Sequence, residues 1–251
     1  MSEQTFNTLM WAWIALALVL APIQMRITAP YGRHASPKWG PTIPNRLGWL
    51  VMEAVSPLVF AAALFANGMP SSPAIWIFAS LYLAHYLNRA LLFPLRTRTR
   101  GKRIPLAIVV FAIAFNTANG WANGHYLGSG LADYAGWLTD PRFLLGLLVF
   151  LAGAAINICS DNRLIALRGH GDTHYAIPRG GLFERVSCPN HLGEIIEWTG
   201  FAIACWNLPA LAFAVWTAAN LIPRALSHHR WYKQQFADYP AGRKALVPCV
   251  L

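Results

Sequence analysis

Residues 157–198 read NICSDNRLIALRGHGDTHYAIPRGGLFERVSCPNHLGEIIEW, a polar segment with apolar sequence on both sides. Two groups of polar residues in it have helical spacing, so each group is expected to lie on one face of a helix. The groups are Asn157, Asp161 and Arg168, and Asn190, Glu194 and Glu197. Glycines and prolines between them predict a loop. The two polar faces are therefore expected to converge beside an apolar region, which suits the binding of a polar, charged ligand.

The composition indicates a membrane protein. Of the 251 residues, 56% are hydrophobic and 12% are charged, and that charged fraction is roughly half that of an average soluble domain. An apolar excess of this size is typical of helices in a bilayer, and the length predicts one compact domain. The first apolar segment has no basic residues before it and no small-residue cleavage site, so it is predicted to be a retained transmembrane helix rather than a signal peptide.

Seven apolar segments predict seven transmembrane helices in an all-α bundle. They span residues 9–24, 47–66, 74–95, 105–127, 143–160, 192–206 and 209–226. With seven spans, every basic residue except Arg89 and Arg142 falls on one side, which the positive-inside rule identifies as cytoplasmic. The N-terminus is then outside, the C-terminus and segment 157–198 are cytoplasmic, and the net charge of +10 needs no nucleic-acid partner.

The cysteines and histidines do not predict a metal site. The four cysteines lack paired spacing and are interpreted as small apolar packing residues. His170 and His174 are separated by Gly171, which argues against a shared helical face.

Three acids lie in or beside apolar segments, at Glu53, Glu194 and Glu197. A charged group at the centre of a bilayer costs about 2.5–3.5 kcal/mol, so each acid needs a partner or a functional role. A neutral carboxylic acid in an apolar site can donate a hydrogen bond, which is the function that we predict for Glu53. The alternative for Glu53 is a polar contact between helices.

One face of the third apolar segment carries polar side chains at helical spacing. They are Tyr82, His85, Tyr86 and Arg89. Four such groups on one face favour a lined cavity over an interfacial aromatic residue. A phenol is a strong donor to a carbonyl oxygen, so a functional role is predicted for Tyr86 on this face.

Near the C-terminus, Arg224, His228 and Tyr232 recur every four residues and form a stripe. With Arg100 and Lys102 they could hold phosphates, or they could form a cytoplasmic belt that contacts lipid headgroups. The residues alone leave both readings open. No G-x-G-x-x-G motif follows a predicted strand, so any dinucleotide is expected to bind at helix ends and loops rather than in a Rossmann fold.

Segment 157–198 and the C-terminal sequence SHHRWYKQQFADYPAGRKALVP (residues 227–248) resemble the steroid 5α-reductase family, in a bacterial-type form. Shorter matches are YGRH at 31–34, WLVMEAVSP at 49–57, HYLNR at 85–89 and RGK at 100–102. The resemblance implies one seven-helix membrane domain over residues 1–251 that binds NADPH on its cytoplasmic side. Residues 9–95 would form the substrate side, and residues 96–251 most of the cofactor site.

The resemblance also implies site residues. The family's NADPH-binding positions correspond to Asn157, Asp161, Arg168, Tyr175, Asn190, Glu194, Arg224, His228, Tyr232, Arg100 and Lys102. Its substrate-polarising acid and tyrosine correspond to Glu53 and Tyr86, with Met52 beside them in the substrate site. Animal members of the family have Gln where this chain has Met52, so one polar contact to the steroid is expected to be absent.

The implied reaction is NADPH-dependent reduction of the Δ4 double bond of a 3-oxo-Δ4-steroid to the 5α-dihydrosteroid. Hydride is added at the steroid 5-position while Glu53 and Tyr86 donate hydrogen bonds to the 3-oxo oxygen, and the steroid enters from the bilayer. The host membrane would be a bacterial inner membrane or the endoplasmic reticulum. No protein partner is implied.

Three alternatives stay open. A reductase of the same fold could act on another enone, an enoyl thioester or a polyprenol-type lipid with the same cofactor. A membrane methyltransferase of the isoprenylcysteine type would bind S-adenosylmethionine instead. A sterol or lipid carrier would bind no NADPH, although nothing in the sequence suggests the inverted repeats that are typical of transporters.

Overall fold

Long helices make up most of the chain described by the computed structural model, which covers residues 1–97, 101–131, 133–167 and 175–251. The helices are α1 (Glu3–Arg26), α2 (Asn45–Phe65), α3 (Pro73–Leu87), α4 (Phe93–Arg96), α5 (Leu106–Gly128), α6 (Pro141–Ala166), α7 (Pro189–Cys205) and α8 (Leu208–Gln235). A π-helical turn, Asn88–Leu92, joins α3 to α4. Two short strands, β1 (Thr42–Pro44) and β2 (Arg103–Pro105), pair antiparallel with Ile43 opposite Ile104.

Each of the seven apolar segments is helical, and several helices are longer than the apolar segments. α1 begins at Glu3 because the Ser2 side chain accepts a hydrogen bond from the Thr5 backbone N–H and caps the helix. α6 continues to Ala166 and α8 to Gln235, so both helices carry polar residues beyond their apolar parts.

Within the described residues, five helices are long and apolar enough to cross a membrane: α1, α2, α5, α6 and α8. α3 and α7 have only 15 and 17 residues, less than the ~20 that a span usually needs. The all-helical architecture is therefore confirmed. The count of seven spans and the orientation of the termini stay predictions.

The chain folds into two compact units. Unit 1 comprises Met1–Thr28 and Leu145–Leu251, and unit 2 comprises Ala29–Leu144. Unit 1 contains α1, most of α6, α7 and α8, whereas unit 2 contains α2 to α5. Segment 157–198 therefore belongs to unit 1, and Glu53 and Tyr86 belong to unit 2.

In unit 2, α5 packs directly against α2. Three glycines on α5 recur every four residues, and each faces a backbone carbonyl of α2. The pairs are Gly120 with Ser56, Gly124 with Phe60, and Gly128 with Leu64. A Cβ atom at Gly120 would lie 2.6 Å from the Ser56 carbonyl oxygen, which is too close for a side chain. Small residues allow membrane helices to approach closely, and this approach brings the polar residues of α5 next to those of α2.

In unit 1, glycines join α6 to α7 in the same way. Gly153 and Gly193 face each other across the two helices. Cβ atoms at Gly153 and Gly193 would lie 2.6 Å and 2.8 Å from the carbonyl oxygen of the partner glycine. The backbones are therefore in direct contact at the level of the polar residues of both helices.

Tryptophan residues connect α1 to α8, also within unit 1. The rings of Trp13 and Trp216 are 4.6 Å apart, and Trp216 Nε1 donates a hydrogen bond to the Trp13 carbonyl oxygen at 2.9 Å. At the ends of these helices, the Thr28 and Ser227 hydroxyls are 3.0 Å apart. These contacts hold α1 along much of the length of α8.

Candidate active site

Four polar side chains of α6 and α7 form one hydrogen-bond network in unit 1. Asn157 Nδ2 donates to the Asn190 carbonyl oxygen at 3.0 Å and to Glu194 Oε2 at 3.4 Å. Asn190 Nδ2 donates to Asp161 Oδ1 at 3.0 Å. Asn157 and Asp161 are buried, with 2% and 5% of their surface exposed, whereas Asn190 and Glu194 are half-buried. The two polar faces therefore meet, as their spacing predicts.

The other members of the predicted polar faces lie elsewhere. Glu197 is buried one turn farther along α7, where its backbone packs against Gly153. Arg168 and Arg100 lie outside the described residues, as do His170 and His174. Arg168 and Arg100 remain predicted cofactor residues.

Arg100 and Lys102 are both predicted to bind phosphate, and of the two the structure describes Lys102, which lies in unit 2. It is half-buried and directly precedes β2. Its carbonyl oxygen accepts a hydrogen bond from the Asn45 backbone N–H at 3.0 Å, which fixes the backbone at this point. Its role as a cofactor residue remains a prediction.

The polar stripe on α8, formed by Arg224, His228 and Tyr232, also belongs to unit 1. Arg224 is 7% exposed and Tyr232 is also buried, while His228 is half-buried. The His228 ring lies 5.5 Å from the His191 ring of α7. Arg224 and Tyr232 are therefore enclosed by protein, and the phosphate-binding role of this stripe stays a prediction.

Aromatic rings surround the last turns of α8. The Tyr175 ring lies 5.0 Å from the Trp231 ring. Tyr232 stacks on Tyr239, with ring centroids 5.2 Å apart and planes inclined by 9°. Tyr175 and Tyr232, both predicted cofactor residues, are therefore held by neighbouring aromatic side chains.

The donors and acceptors of unit 1 fit a dinucleotide. The carboxylates of Asp161 and Glu194 and the amides of Asn157 and Asn190 match the hydroxyl groups of ribose and the carboxamide of nicotinamide. Arg224 supplies the positive charge that a pyrophosphate requires. These acids, amides, cation and aromatic rings are groups that could hold a dinucleotide.

A second polar cluster lies in unit 2, where α2, α3 and α5 pack together. Ser56 Oγ and Tyr82 Oη are 2.6 Å apart, and Asn119 Nδ2 donates to Tyr82 Oη at 3.3 Å. The Tyr86 ring lies 4.9 Å from the Tyr82 ring, and Glu53 lies one turn before Ser56 on α2, close enough to act electrostatically on both phenols. All of these side chains are buried except that of Glu53, which is half-buried. Glu53 and Tyr86 therefore belong to one cluster.

The backbone of Met52 is hydrogen-bonded to α5 beside this cluster. Its carbonyl oxygen accepts a hydrogen bond from Asn116 Nδ2 at 2.6 Å. Its side chain is buried in an apolar cluster with Ile104 and Val109. The side chain therefore makes apolar contacts, and its contact with a substrate remains a prediction.

The remaining polar residues of the third apolar segment also contact protein. His85 is buried, and its ring lies edge-on to Tyr86 at 5.2 Å. The Arg89 guanidinium carbon lies 5.6 Å from the centre of the Trp49 ring and 5.1 Å from that of Phe93, which are cation–π distances. His85 and Arg89 therefore pack against other side chains, and the cavity expected along this face stays a prediction.

Sequence reasoning missed the asparagines of α5 and Ser56 of α2. Asn116, Asn119 and Asn123 are buried although they lie in an apolar helix. Their offsets of three and seven residues are the same signal that identified the polar faces of α6 and α7. Ser56 gives no comparable signal, because a serine in an apolar helix commonly bonds to its own backbone.

A buried serine ties the C-terminal segment to α8. Ser187 Oγ lies 2.6 Å from His229 Nδ1 and 2.6 Å from Tyr239 Oη, and it donates to the Lys244 carbonyl oxygen at 3.1 Å. Tyr239 is the residue on which Tyr232 stacks. Ser187 therefore supports a predicted cofactor residue through an intermediate ring.

Replacing Ser187 by alanine is expected to lower the free energy of unfolding by about 1–3 kcal/mol, because buried partners lose a hydrogen bond. The measurement is chemical or thermal unfolding of the detergent-solubilised protein. Ser80→Ala is the matched control, because the exposed Ser80 hydroxyl bonds to the Trp76 carbonyl oxygen of its own helix and a change within about 0.5 kcal/mol is expected. Equal effects of the two substitutions would contradict the structural role of Ser187.

Comparisons with known proteins find relatives over nearly the whole chain. A family model described as 3-oxo-5-alpha-steroid 4-dehydrogenase matches residues 102–251. The chain is 46% identical to 3-oxo-5-alpha-steroid 4-dehydrogenase 1 of Macaca fascicularis over 87% of its length and 83% of the relative. It is 41% identical to the Homo sapiens protein of that name over 98% and 95% of the two chains. It is 38% identical to steroid 5-alpha-reductase DET2 of Arabidopsis thaliana over 97% and 94%.

Proposed function

The chain belongs to the 3-oxo-5-alpha-steroid 4-dehydrogenase family, and from that premise we propose that it uses NADPH to reduce a 3-oxo-Δ4-steroid to the 5α-dihydrosteroid. The protein is an oxidoreductase of steroids, as the names of its relatives indicate. The observation that supports the substrate site is the buried polar cluster of unit 2, in which the Tyr86 ring lies 4.9 Å from the Tyr82 ring and Tyr82 Oη lies 2.6 Å from Ser56 Oγ, one helical turn after Glu53.

Glu53 and Tyr86 polarise the steroid. Each donates a hydrogen bond to the 3-oxo oxygen, which draws electron density from the conjugated double bond and stabilises the enolate that develops when carbon 5 is reduced. Preorganised donors at such an oxygen contribute roughly 2.7–4 kcal/mol each. Apolar side chains around the cluster exclude water and strengthen both hydrogen bonds. A proton from water or a nearby acid then adds at carbon 4.

The cofactor site is proposed for unit 1. Asp161 and Glu194, fixed by Asn157 and Asn190, accept hydrogen bonds from the cofactor hydroxyl and amide groups, and Arg224 neutralises phosphate charge. The other proposed cofactor residues are Tyr175, His228, Tyr232, Arg168, Arg100 and Lys102. When bound, NADPH supplies the hydride, which no side chain provides.

The five long apolar helices of the described residues are those of an integral membrane protein. We propose that the cofactor site faces the cytoplasm, because segment 157–198 shares a predicted side with nearly all basic residues. The steroid is proposed to enter from the bilayer, since both the steroid and the walls of unit 2 are apolar.

Incubation of the detergent-purified protein with NADPH and testosterone is expected to give loss of NADPH absorbance and a 5α-dihydro product. Dihydrotestosterone, which lacks the Δ4 bond, is the control and is expected to give no oxidation. Product analysis by mass spectrometry separates steroid reduction from uncoupled oxidation.

Two other outcomes would change the proposal in different ways. NADPH binding without reduction of any steroid would contradict the substrate and favour another enone, an enoyl thioester or a polyprenol-type lipid. Failure to bind NADPH would contradict the cofactor and favour a methyltransferase or a lipid carrier. Binding of NADPH is measured by its fluorescence change, so the two outcomes are distinguished in one preparation.

A further inference from the structure

Three buried residues of unit 2 form a hydrogen-bond chain that runs from α5 to α3. Asn123 Nδ2 donates to Asn119 Oδ1 at 3.2 Å and to the Asn119 carbonyl oxygen at 3.0 Å. Asn119 Nδ2 donates in turn to Tyr82 Oη at 3.3 Å. Tyr82 is fully buried, and the two asparagines are each 2% exposed. This series of hydrogen bonds reaches α3 at Tyr82, whose ring lies beside that of Tyr86.

The hydrogen bonds from Asn123 through Asn119 to Tyr82 all donate in the same direction. Asn123 donates to the amide oxygen of Asn119, so Asn119 presents its NH2 group to Tyr82. The Tyr82 oxygen therefore accepts a hydrogen bond, and its own proton is donated onward. Ser56 Oγ, 2.6 Å away, can accept it. The Tyr86 ring lies 4.9 Å from the Tyr82 ring, so this proton is donated beside the proposed substrate-polarising phenol.

The ring of Tyr82 is held independently of its hydroxyl. It stacks on Phe60 with centroids 4.1 Å apart and planes inclined by 12°, and its centroid lies 4.9 Å from that of Tyr86. A phenylalanine at this position would keep these packing contacts. A buried hydroxyl costs free energy unless it is hydrogen-bonded, and Ser56 and Asn119 both bond to this one.

We propose that Tyr82, oriented by Asn119, is a positioning residue that directs the hydroxyl proton of Tyr86 toward the 3-oxo oxygen of the substrate. When Tyr82 donates to the Tyr86 oxygen, directly or through Ser56, Tyr86 becomes the donor at the end of the chain. Hydrogen bonds in such a chain polarise one another, so Tyr86 is also a stronger donor than an isolated phenol. This proposal rests on the proposed function of Tyr86.

The test is a double-mutant cycle of Tyr82→Phe and Tyr86→Phe. The measured quantity is the single-turnover rate of steroid reduction, followed by mass spectrometry so that slow variants remain measurable. Tyr82→Phe is expected to lower the rate about tenfold in the wild-type background and less than about twofold in the Tyr86→Phe background, because its effect passes through Tyr86. The Kd of NADPH and the KM of the steroid are expected to change less than about twofold.

Two further variants keep the test decisive. Asn119→Ala removes the donor to Tyr82 and is expected to lower the rate in the wild-type background but not in the Tyr86→Phe background, so it serves where Tyr82→Phe folds poorly. Tyr134→Phe is the matched control, because Tyr134 is another buried tyrosine of unit 2, whose ring packs on Phe78 and Trp137. It is expected to keep the wild-type rate.

The outcomes separate this proposal from the proposed function. An unchanged rate in Tyr82→Phe, or an equal loss in both backgrounds, would overturn the positioning role of Tyr82. Full activity of Tyr86→Phe would instead overturn the assignment of Tyr86. A loss in Tyr134→Phe as large as that in Tyr82→Phe would mean that the hydroxyl effect is general destabilisation, which also overturns the positioning role.

Discussion

Tyr86→Phe is expected to lower kcat by about 10²–10³-fold and to leave the Kd of NADPH unchanged. The substitution removes one hydrogen-bond donor from the oxygen on which negative charge develops, and it keeps the ring. The ring contacts to Tyr82 and His85, at 4.9 Å and 5.2 Å, are therefore retained. The measurement is steroid-dependent NADPH oxidation at saturating concentrations, with cofactor binding determined separately by fluorescence.

Glu53→Gln is the companion variant. It replaces a carboxylic acid by an amide of nearly the same shape, which is a weaker donor, so kcat is again expected to fall while NADPH binding persists. Tyr134→Phe serves as the control for loss of a buried phenol in the same unit. Full activity in both Tyr86→Phe and Glu53→Gln would contradict the roles proposed for these residues.

Gly193→Ala is expected to weaken NADPH binding at least tenfold and to lower the thermal unfolding midpoint by about 4–10 °C. An added Cβ would meet the Asn157 backbone nitrogen and would lie 2.8 Å from the Gly153 carbonyl oxygen. Both are backbone atoms, so they can move only if a helix shifts. α7 must therefore shift away from α6, which lengthens the hydrogen bonds that join Asn157 to Glu194 and Asp161 to Asn190.

Two glycine variants provide matched controls. Gly242→Ala adds the same methyl group where no atom lies within 4 Å, so stability and NADPH affinity are expected to remain at wild-type values. Gly124→Ala creates a comparable clash with the Phe60 carbonyl oxygen in unit 2, so it is expected to lower stability without weakening NADPH binding in proportion. Wild-type affinity in Gly193→Ala would show that the contact between α6 and α7 does not organise the cofactor site.

Spacing along the chain predicted a large part of this arrangement. The offset between Asn157 and Asp161, and that between Asn190 and Glu194, placed each pair on one helical face, and in the structure these faces meet. The prediction succeeded because a helix repeats every 3.6 residues whatever it packs against. The same argument placed Tyr82, His85 and Tyr86 on one buried face of α3.

Sequence reasoning did not find Asn119, although its spacing from Asn116 and Asn123 marks a polar face, or Ser56, which carries no such signal; the partner of each lies in another helix. Asn119 matters through Tyr82 of α3, 37 positions away, and Ser56 through the same phenol, 26 positions away. Only packing decides whether a single amide or hydroxyl in an apolar helix bonds to its own backbone or to a neighbour.

The amino-acid sequence alone was sufficient for the membrane class, the positions of the helices and the faces that carry polar groups, because apolar length and helical periodicity are local properties. Tertiary structure decided which helices pair. Glycines at Gly120, Gly124, Gly153 and Gly193 are visible in the sequence, but a small residue permits close approach without specifying the partner. That pairing sets α5 against α2 and α6 against α7, and it thereby creates both polar clusters from side chains that are distant along the chain.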